Sequence, residues 1–427
     1  MELRLALVAV LLLSGGCGDP ATPSRPNLVL IVGDDLAYRD LGFMGSEFVM
    51  TPRLDRLASE GAVFPVAYNT ASVCRPSLRT LLTGLHPVQW DARVAALRAR
   101  RRVSPGREMT HMTTMPGLLA RNGYATFQAG KLWESHFEVA GFEDGTAVRP
   151  QTTGRAAAVA IGRSTMEPVW RFLDERDGRP FFLWFAPTLP HTPFDAADAH
   201  RAPYAAMELT DAARAYFANV TRFDAVVGAL LDGLEERGLG EDTLVVYLND
   251  NGWDQAPDFE APLERGGGGL DGPRGKGSLY EIGFRTPLVL RWPGRIEPAV
   301  VRPDLVSTVD VTATLLDAAG VAPPPGREGR SLLPLLDGRG GTGRDAIFGS
   351  VTASHLKGRR RRADLSATAL IARTPDWHWV RFANEAEALF AIRTDPGEVH
   401  NVLRENPVVA ADLRRRAESW RDAMARH

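Results

Sequence analysis

The sequence predicts an α/β protein: a mostly parallel sheet flanked by helices, followed by a small C-terminal α+β subdomain. Three observations carry this. Short continuous apolar runs recur, as in "NLVLIV" (27–32), "PFFLWFAP" (180–187) and "TLVVYLND" (243–250). A run that is apolar at every position suits a strand buried on both faces. Helical patterns separate these runs, and a regular alternation of strand and helix builds a parallel sheet. After about residue 330 the alternation gives way to short strand-like pieces and an Arg-rich helical tail.

Taken in order, the first run ends in "GDDL" and leads to "TPRLDRLASEG" (51–61). That stretch reads as a short helix, with Thr51 as N-cap, Pro52 at the first helical position and Gly61 as the stop. Residues 76–84 continue a helical pattern, and 115–131 read as helix, turn, strand. A helix is expected over 166–177, before the second apolar run. The longest amphipathic helix spans 210–238, capped by Thr210 and stopped by Gly238. A strand at 286–294 and a capped helix at 307–320 complete the large domain, which spans 27–330. Residues 331–427 form the subdomain, in which "HWVRFA" and "ALFAIRTDP" suggest antiparallel strands.

The chain has 427 residues and a formal net charge of −2, so nothing in its charge argues for nucleic acid. The basic run "LKGRRRRAD" (356–364) reads as a solvated loop. Residues 1–17 have the layout of a secretory signal, with Arg4 before the apolar run Leu5 to Leu13. "LSGGC" also resembles a bacterial lipobox, which would place a lipid anchor on Cys17. Residues 18–26 would then be a tether, and the protein would be exported, either periplasmic or lipid-anchored at the cell envelope. Only two cysteines occur, Cys17 and Cys74, so Cys74 has no partner for an intrachain disulfide.

Asp34 and Asp35 follow the first buried run, and Asp250 with Asn251 follows another. Ligands of open α/β sheets bind beyond the carboxyl ends of the strands. Four oxygen donors at two such ends suit a hard cation, Ca2+ or Mg2+, rather than zinc. Either pair alone would be ordinary turn chemistry. Cys74, two residues before Pro76, falls near a helix N-terminus, where exposed N–H groups favour negative charge; a small buried apolar thiol is the plainer reading. Of 50 basic residues only three are lysine: Lys131, Lys276 and Lys357. Lysine offers a compact point charge that the flat arginine fork does not replace. Lys131 in "AGKLWESH" and Lys276 in "GPRGKGSLYEIG" are therefore candidate anion ligands. His191, in "PTLPHTPF" at a strand exit, is a third candidate.

This constellation resembles the sulfatase family of the alkaline-phosphatase superfamily. "RPNLVLIVGDDL", "CRPSLRTLLTG", "LNDNGW", "GKGSLYEIGFRTPLVLRWPG" and "VSTVDVTATLLDAAG" stand in the family's order, and "LFAIRTDPGEVHNV" is similar to its C-terminal part. The resemblance implies that Cys74 is oxidised by a maturation enzyme to formylglycine, whose hydrate supplies an oxygen nucleophile beside the metal, so that Cys74 also belongs to the metal set. It implies that Asp34, Asp35, Asp250 and Asn251 hold Ca2+, and that Lys131 and Lys276 clamp the sulfate of a sulfated small molecule or glycan. His191 would bind sulfate or protonate the leaving alcohol. Two positions depart from the family pattern. Leu78 stands where the motif has arginine, with Arg79 one residue on. Trp133 and Glu134 stand where a histidine often follows the first lysine, the nearest histidine being His136. A phosphate or phosphonate esterase and a non-catalytic binder of sulfated glycans are the rival readings. The segments 88–110 and 253–273 are expected to frame the pocket.

Overall fold

The computed structural model describes residues 25–100, 103, 107–147, 157–253, 275–341, 343–352 and 368–426. The expected signal (1–17), Cys17, most of the tether, the basic run 356–364 and nearly all of 253–273 lie outside the described residues. No helix among the described residues is long and apolar enough to cross a membrane.

Among the described residues the main sheet has nine strands. Eight of them are β1 (Asn27–Gly33), β2 (Ala62–Tyr68), β3 (Ala125–Gly130), β4 (Asp144–Gly145), β5 (Phe181–Ala186), β6 (Thr243–Asn249), β7 (Arg285–Arg291) and β8 (Val300–Val301), in the order β4-β3-β5-β1-β6-β7-β2-β8. A ninth, β9 (Val306–Ser307), pairs with β2. All pairings are parallel except those of β7, which runs against both β6 and β2. The sheet is therefore mostly parallel, and the expected strand at 286–294 is its antiparallel member. β2 has no counterpart in the sequence reading. Pro65 in its middle removes a ladder donor, and the register with β7 shifts between Phe64 and Ala67.

Alternate residues of the central strands feed two cores. Val29, Ile31, Val245 and Tyr247 face α1 (Pro52–Ser59) and the long helix over Asp211–Glu236. Leu28, Leu30, Leu244 and Val246 face α2 (Cys74–Thr83) and the helix over Thr308–Ala318. Both faces are covered, which is why these strands are apolar at every position. Burying each such side chain stabilises the fold by roughly 1.5–3 kcal/mol.

The C-terminal subdomain is a four-stranded antiparallel sheet of β10 (Ile347–Thr352), β11 (Thr368–Arg373), β12 (Trp377–Arg381) and β13 (Glu387–Ala391). One face, with Ile371, Val380 and Phe390, joins the core of the large domain. The other, with Leu370, Trp379 and Leu389, is covered by the terminal helix Pro407–Arg426 through Leu413, Ala417 and Trp420. The segment 88–110 begins as a helix: α3 (Pro87–Ala99) packs against that terminal helix. Its apolar stripe is narrow, Trp90 and Val94 one turn apart, and the arginines beside it mask the pattern.

Candidate active site

Strand register assembles the site. Gly33 of β1 is paired with Asn249 of β6, so Asp34 and Asp250 leave the sheet side by side. Gly130 of β3 is paired with Ala186 of β5, which brings Lys131 and the His191 loop to the same edge. Gly130 has φ 93°, and a Cβ there would lie 2.1 Å from the Ala186 carbonyl oxygen, so the chain can turn to Lys131 only through glycine. Asp35 also has a positive φ, 60°, a conformation uncommon outside glycine and met by aspartate more readily than by most residues.

The carboxylates are buried and partly bound. Asp34, Asp35, Asp250 and Asn251 are at most 3% exposed. Lys131 Nζ donates to Asp34 and, at 3.1 Å, to Asp250 Oδ2. Lys276 Nζ donates to Asp35 Oδ2 at 2.7 Å. The Asp35 N–H reaches Asp250 Oδ1 at 3.2 Å. Asn251 donates through Nδ2 to Asp35 Oδ1 (2.8 Å) and to the Gly252 carbonyl (2.6 Å). Both partners only accept, so the amide orientation is fixed and its Oδ1 is the free end. That oxygen and Asp34 Oδ2 are buried without a hydrogen-bond partner. Two orphaned lone-pair donors, beside three carboxylates that face two ammonium groups, fit a hard divalent cation.

Burial pushes the Asp250 carboxyl up to about 7, beyond what Lys131 offsets, and the neighbouring Asp34 and Asp35 add to the rise. Burial also opposes ionisation of Asp35, but Lys276, Lys131 and His191 outweigh it and hold that carboxyl below its usual value. Both lysines lose solvation, yet the carboxylates keep their ammonium groups charged well past the ordinary range.

Cys74 is the first residue of α2 and is 6% exposed. The loop before it is tied to the sheet: Asn69 donates to the Asn249 carbonyl at 3.1 Å, and its Oδ1 accepts from Ser77 at 3.3 Å. The N–H of Gly277, next to Lys276, donates to the Ser72 carbonyl at 2.7 Å, which joins the glycine-rich loop to the same turn. Burial pushes the Cys74 thiol up to about 11 despite the pull of Lys131 and Lys276. As a thiol it stays protonated at neutral pH and is a poor nucleophile.

His191 Nε2 lies 3.5 Å from Asp35 Oδ2, and Asp34, Asp35 and His191 present ligand atoms to one another as a possible metal group. His191 Nδ1 is 2.7 Å from the Thr192 carbonyl, which can only accept, so Nδ1 carries a proton. The loop is held by Arg163, which donates to the carbonyls of Thr188 (2.7 Å) and His191 (2.6 Å). The structure thus brings together Asp34, Asp35, Cys74, Lys131, His191, Asp250, Asn251 and Lys276.

The two departures from the family pattern have clear places. Leu78 is 1% exposed in the core beneath α2. Arg79 turns to Glu134, with Nε 2.8 Å from Oε1, and lies 4.2 Å over the Trp90 ring. Arg75 meets the same Glu134 at 3.0 and 3.3 Å. His136 accepts from the Glu138 N–H and rests on Phe137. The Arg75–Glu134–Arg79 clamp and the Arg163 brace escape sequence reasoning. Neither makes a periodic pattern, and only the excess of arginine near the motif hints at the first.

A family model described as Sulfatase matches residues 26–321. The chain belongs to the sulfatase family. A second model, N-sulphoglucosamine sulphohydrolase, C-terminal, matches 272–422. The sulfatase chain is 31% identical over 382 residues to N-acetylgalactosamine-6-sulfatase of Canis lupus familiaris, covering 78% of this chain and 70% of the relative. It is 29% identical to arylsulfatase A of Homo sapiens, covering 90% and 84%. Among solved structures, Ps i-CgsB in complex with k-i-k-neocarrahexaose superposes with a TM-score of 0.73 at 24% identity, covering 94% of this chain and 93% of that one. The phosphonate monoester hydrolase of Agrobacterium radiobacter superposes with a TM-score of 0.70 at 19% identity, covering 94% and 96%. The protein is a sulfuric ester hydrolase of this family.

Proposed function

We propose that this sulfatase cleaves its ester through a formylglycine made from Cys74, with a Ca2+ ion held by Asp34, Asp35, Asp250 and Asn251. The observation that carries the reading is the pair of orphaned oxygens, Asp34 Oδ2 and Asn251 Oδ1, in an otherwise bonded oxygen cage beside Cys74. Bound there, a divalent cation would supply Lewis-acid charge next to the nucleophile, and the hydrated aldehyde would supply the attacking oxygen. Mg2+ is the alternative ion.

The chain's own side chains do the rest. Lys131 and Lys276 place two ammonium groups at the strand edge, where negative charge on the sulfuryl oxygens would be met. Lys131 spends two of its three N–H bonds on Asp34 and Asp250 and keeps one for a ligand. His191, with Nδ1 protonated against the Thr192 carbonyl, presents Nε2 to the site. With the ring doubly protonated, a proton can pass from that atom to the leaving alcohol. The Arg163 brace keeps this atom in place. The buried, protonated Cys74 thiol argues against direct thiolate attack.

The test is the mass of the tryptic peptide that contains Cys74, together with turnover of Cys74→Ala. Formylglycine in active protein and no turnover in the variant are expected. Sulfate-ester hydrolysis by Cys74→Ala at the parental rate would sink the mechanism. Matched aryl sulfate and aryl phosphate esters decide between this reading and phosphate or phosphonate hydrolysis. For residues 1–17 the reading is an export signal, either removed to leave a periplasmic protein or ending at an acylated Cys17 at the envelope. Mature protein found in the cytoplasm with an intact N-terminus would refute it.

A further inference from the structure

We propose that Trp133 is a specificity-determining residue: its indole is the platform on which a ring of the leaving alcohol, a pyranose of a sulfated sugar, stacks. The inference rests on the sulfate-ester reading above and adds the part of the substrate that reading leaves open.

Trp133 is 50% exposed, one of the few large apolar side chains left in water among the described residues. Its ring centroid lies 5.6 Å from Lys131 Nζ, the ammonium bonded to Asp34 and Asp250. A sulfuryl oxygen held by that ammonium is separated from the carbon skeleton of its alcohol by the sulfur and one ester oxygen. A ring attached there therefore comes to rest at the indole. A small acyclic alcohol would fall short of it.

The indole is held out rather than left loose. Trp133 and Ser135 both have φ 67°, a left-handed conformation costly for residues with a Cβ. Between them Glu134 turns inward, its side chain 2% exposed, and is gripped by Arg75 and Arg79. Two arginines pull one residue in, and the strained backbone throws its neighbour out over Lys131. An exposed aromatic beside a binding site gains by covering its face with an apolar one. The axial C–H face of a pyranose offers that, and its hydroxyls keep the rest of the sugar wet. Indole has only an N–H to donate and no proton to exchange near neutral pH. Trp133 therefore cannot do the acid–base work of the histidine often found near this position, which leaves recognition as its role.

The first experiment uses 4-methylumbelliferyl sulfate, whose flat ring also stacks, with inorganic sulfate as competitive inhibitor. Trp133→Ala should raise KM roughly tenfold with kcat little changed, because stacking is equal in ground and transition states. The inhibition constant of inorganic sulfate, which has no ring, should stay within about twofold. Trp133→Phe should keep most of the parental KM, which also guards against a misfolded alanine variant. An unchanged KM in Trp133→Ala would overturn the proposal. So would equal rises in KM and in the sulfate inhibition constant, since Trp133 would then belong to the anion pocket.

A parent that turns over no sulfate ester would defeat the mechanism proposed above, not the stacking. Calorimetry keeps the two apart. N-acetylgalactosamine 6-sulfate is titrated into Cys74→Ala and into Cys74→Ala/Trp133→Ala in Ca2+ buffer. A roughly tenfold weaker affinity in the double variant supports the platform. Equal titrations, absence of binding to both included, overturn it.

Discussion

Among the described residues, two of the buried charge clusters differ in what they leave over. At the strand edge, Asp34, Asp35 and Asp250 meet Lys131 and Lys276, and the unmatched atoms are oxygens, Asp34 Oδ2 and Asn251 Oδ1. At the seam between the large domain and the C-terminal sheet, Glu281 accepts from Tyr68 (2.5 Å) and Arg373 (2.7 Å), with Arg285 at 3.4 Å. Beside it Glu398 accepts the Glu281 N–H at 2.7 Å and pairs with His378. The unmatched atoms there are nitrogens, Arg373 Nη1 and His378 Nε2. The Arg373 guanidinium also lies 5.5 Å from the Tyr68 ring, so part of its charge is met by an aromatic face. Similar ingredients thus serve different ends. A cage with spare lone pairs asks for a cation, whereas a seam whose carboxylates are already met asks for none and fastens two sheets together.

The largest expected effect tests the seam. Arg373→Met should lower unfolding stability by about 3–5 kcal/mol, because it leaves Glu281 buried with fewer partners. Ester turnover and its Ca2+ dependence should survive in the protein that remains folded. Denaturant titration checks the first and initial rates the second. A variant as stable as its parent would remove the distinction between the clusters, and one that lost Ca2+ dependence would show that they are coupled.

Next comes Lys131→Arg at the strand edge. Turnover should fall a hundredfold or more, about 3 kcal/mol of transition-state stabilisation. Thermal stability should move far less, since arginine keeps the charge but not the compact ammonium that bridges Asp34 and Asp250. Near-normal turnover would mean that Lys131 only balances charge. Smaller again is the effect of the ion itself. Ca2+ at a hundred times its dissociation constant should add about 2.7 kcal/mol to stability, and chelation should remove it. Asp34→Asn and Asn251→Ala should each weaken that gain, while Arg373→Met should not. Equal Ca2+ gains in the parent and in Asn251→Ala would exclude the amide oxygen from the cation's shell.

The strand-edge cluster is largely legible in the sequence, and the seam is not. Asp34 and Asp250 stand out because each ends a run that is apolar at every position, and parallel register then places them together. Lys131 and Lys276 stand out because lysine is rare in this chain. The seam carries no such mark. Glu281 and Arg373 are 92 residues apart and each is an ordinary charge in its own segment. The same holds for the Arg75–Glu134–Arg79 clamp: sequence spacing shows that Arg79 is turned from the position of Leu78 along α2, but not that Glu134 awaits it. β2 is hidden by Pro65, and α3 by arginines around a two-residue stripe.

The smallest effect concerns a buried carboxylate outside both clusters, and it sharpens the comparison because no cage surrounds it. Thr51 is the expected cap of α1, but its hydroxyl is bound to the Gly42 N–H and to Asp55. The cap comes instead from Asp224 on the long helix, which accepts from the N–H groups of Arg53 (3.0 Å) and Leu54 (2.8 Å). Burial raises this carboxyl from 3.8 to about 7, more than the two N–H bonds lower it. The folded state therefore holds the proton more tightly than the unfolded chain. The stability it contributes is fully present below pH 3.8 and is lost as the pH rises to about 7. Asp224→Asn keeps an acceptor for α1 and has no proton to lose, so its stability should fall less than the parent's across that window. Asp224→Ala should cost about 1–2 kcal/mol at pH 4, since both N–H groups lose their partner, and the cost should shrink as the pH rises towards 7. Denaturant midpoints measured at steps from pH 4 to 8 decide the matter. Parallel curves for the parent and Asp224→Asn would mean that this carboxylate is as well satisfied as those of the seam, and that burial alone does not set its charge.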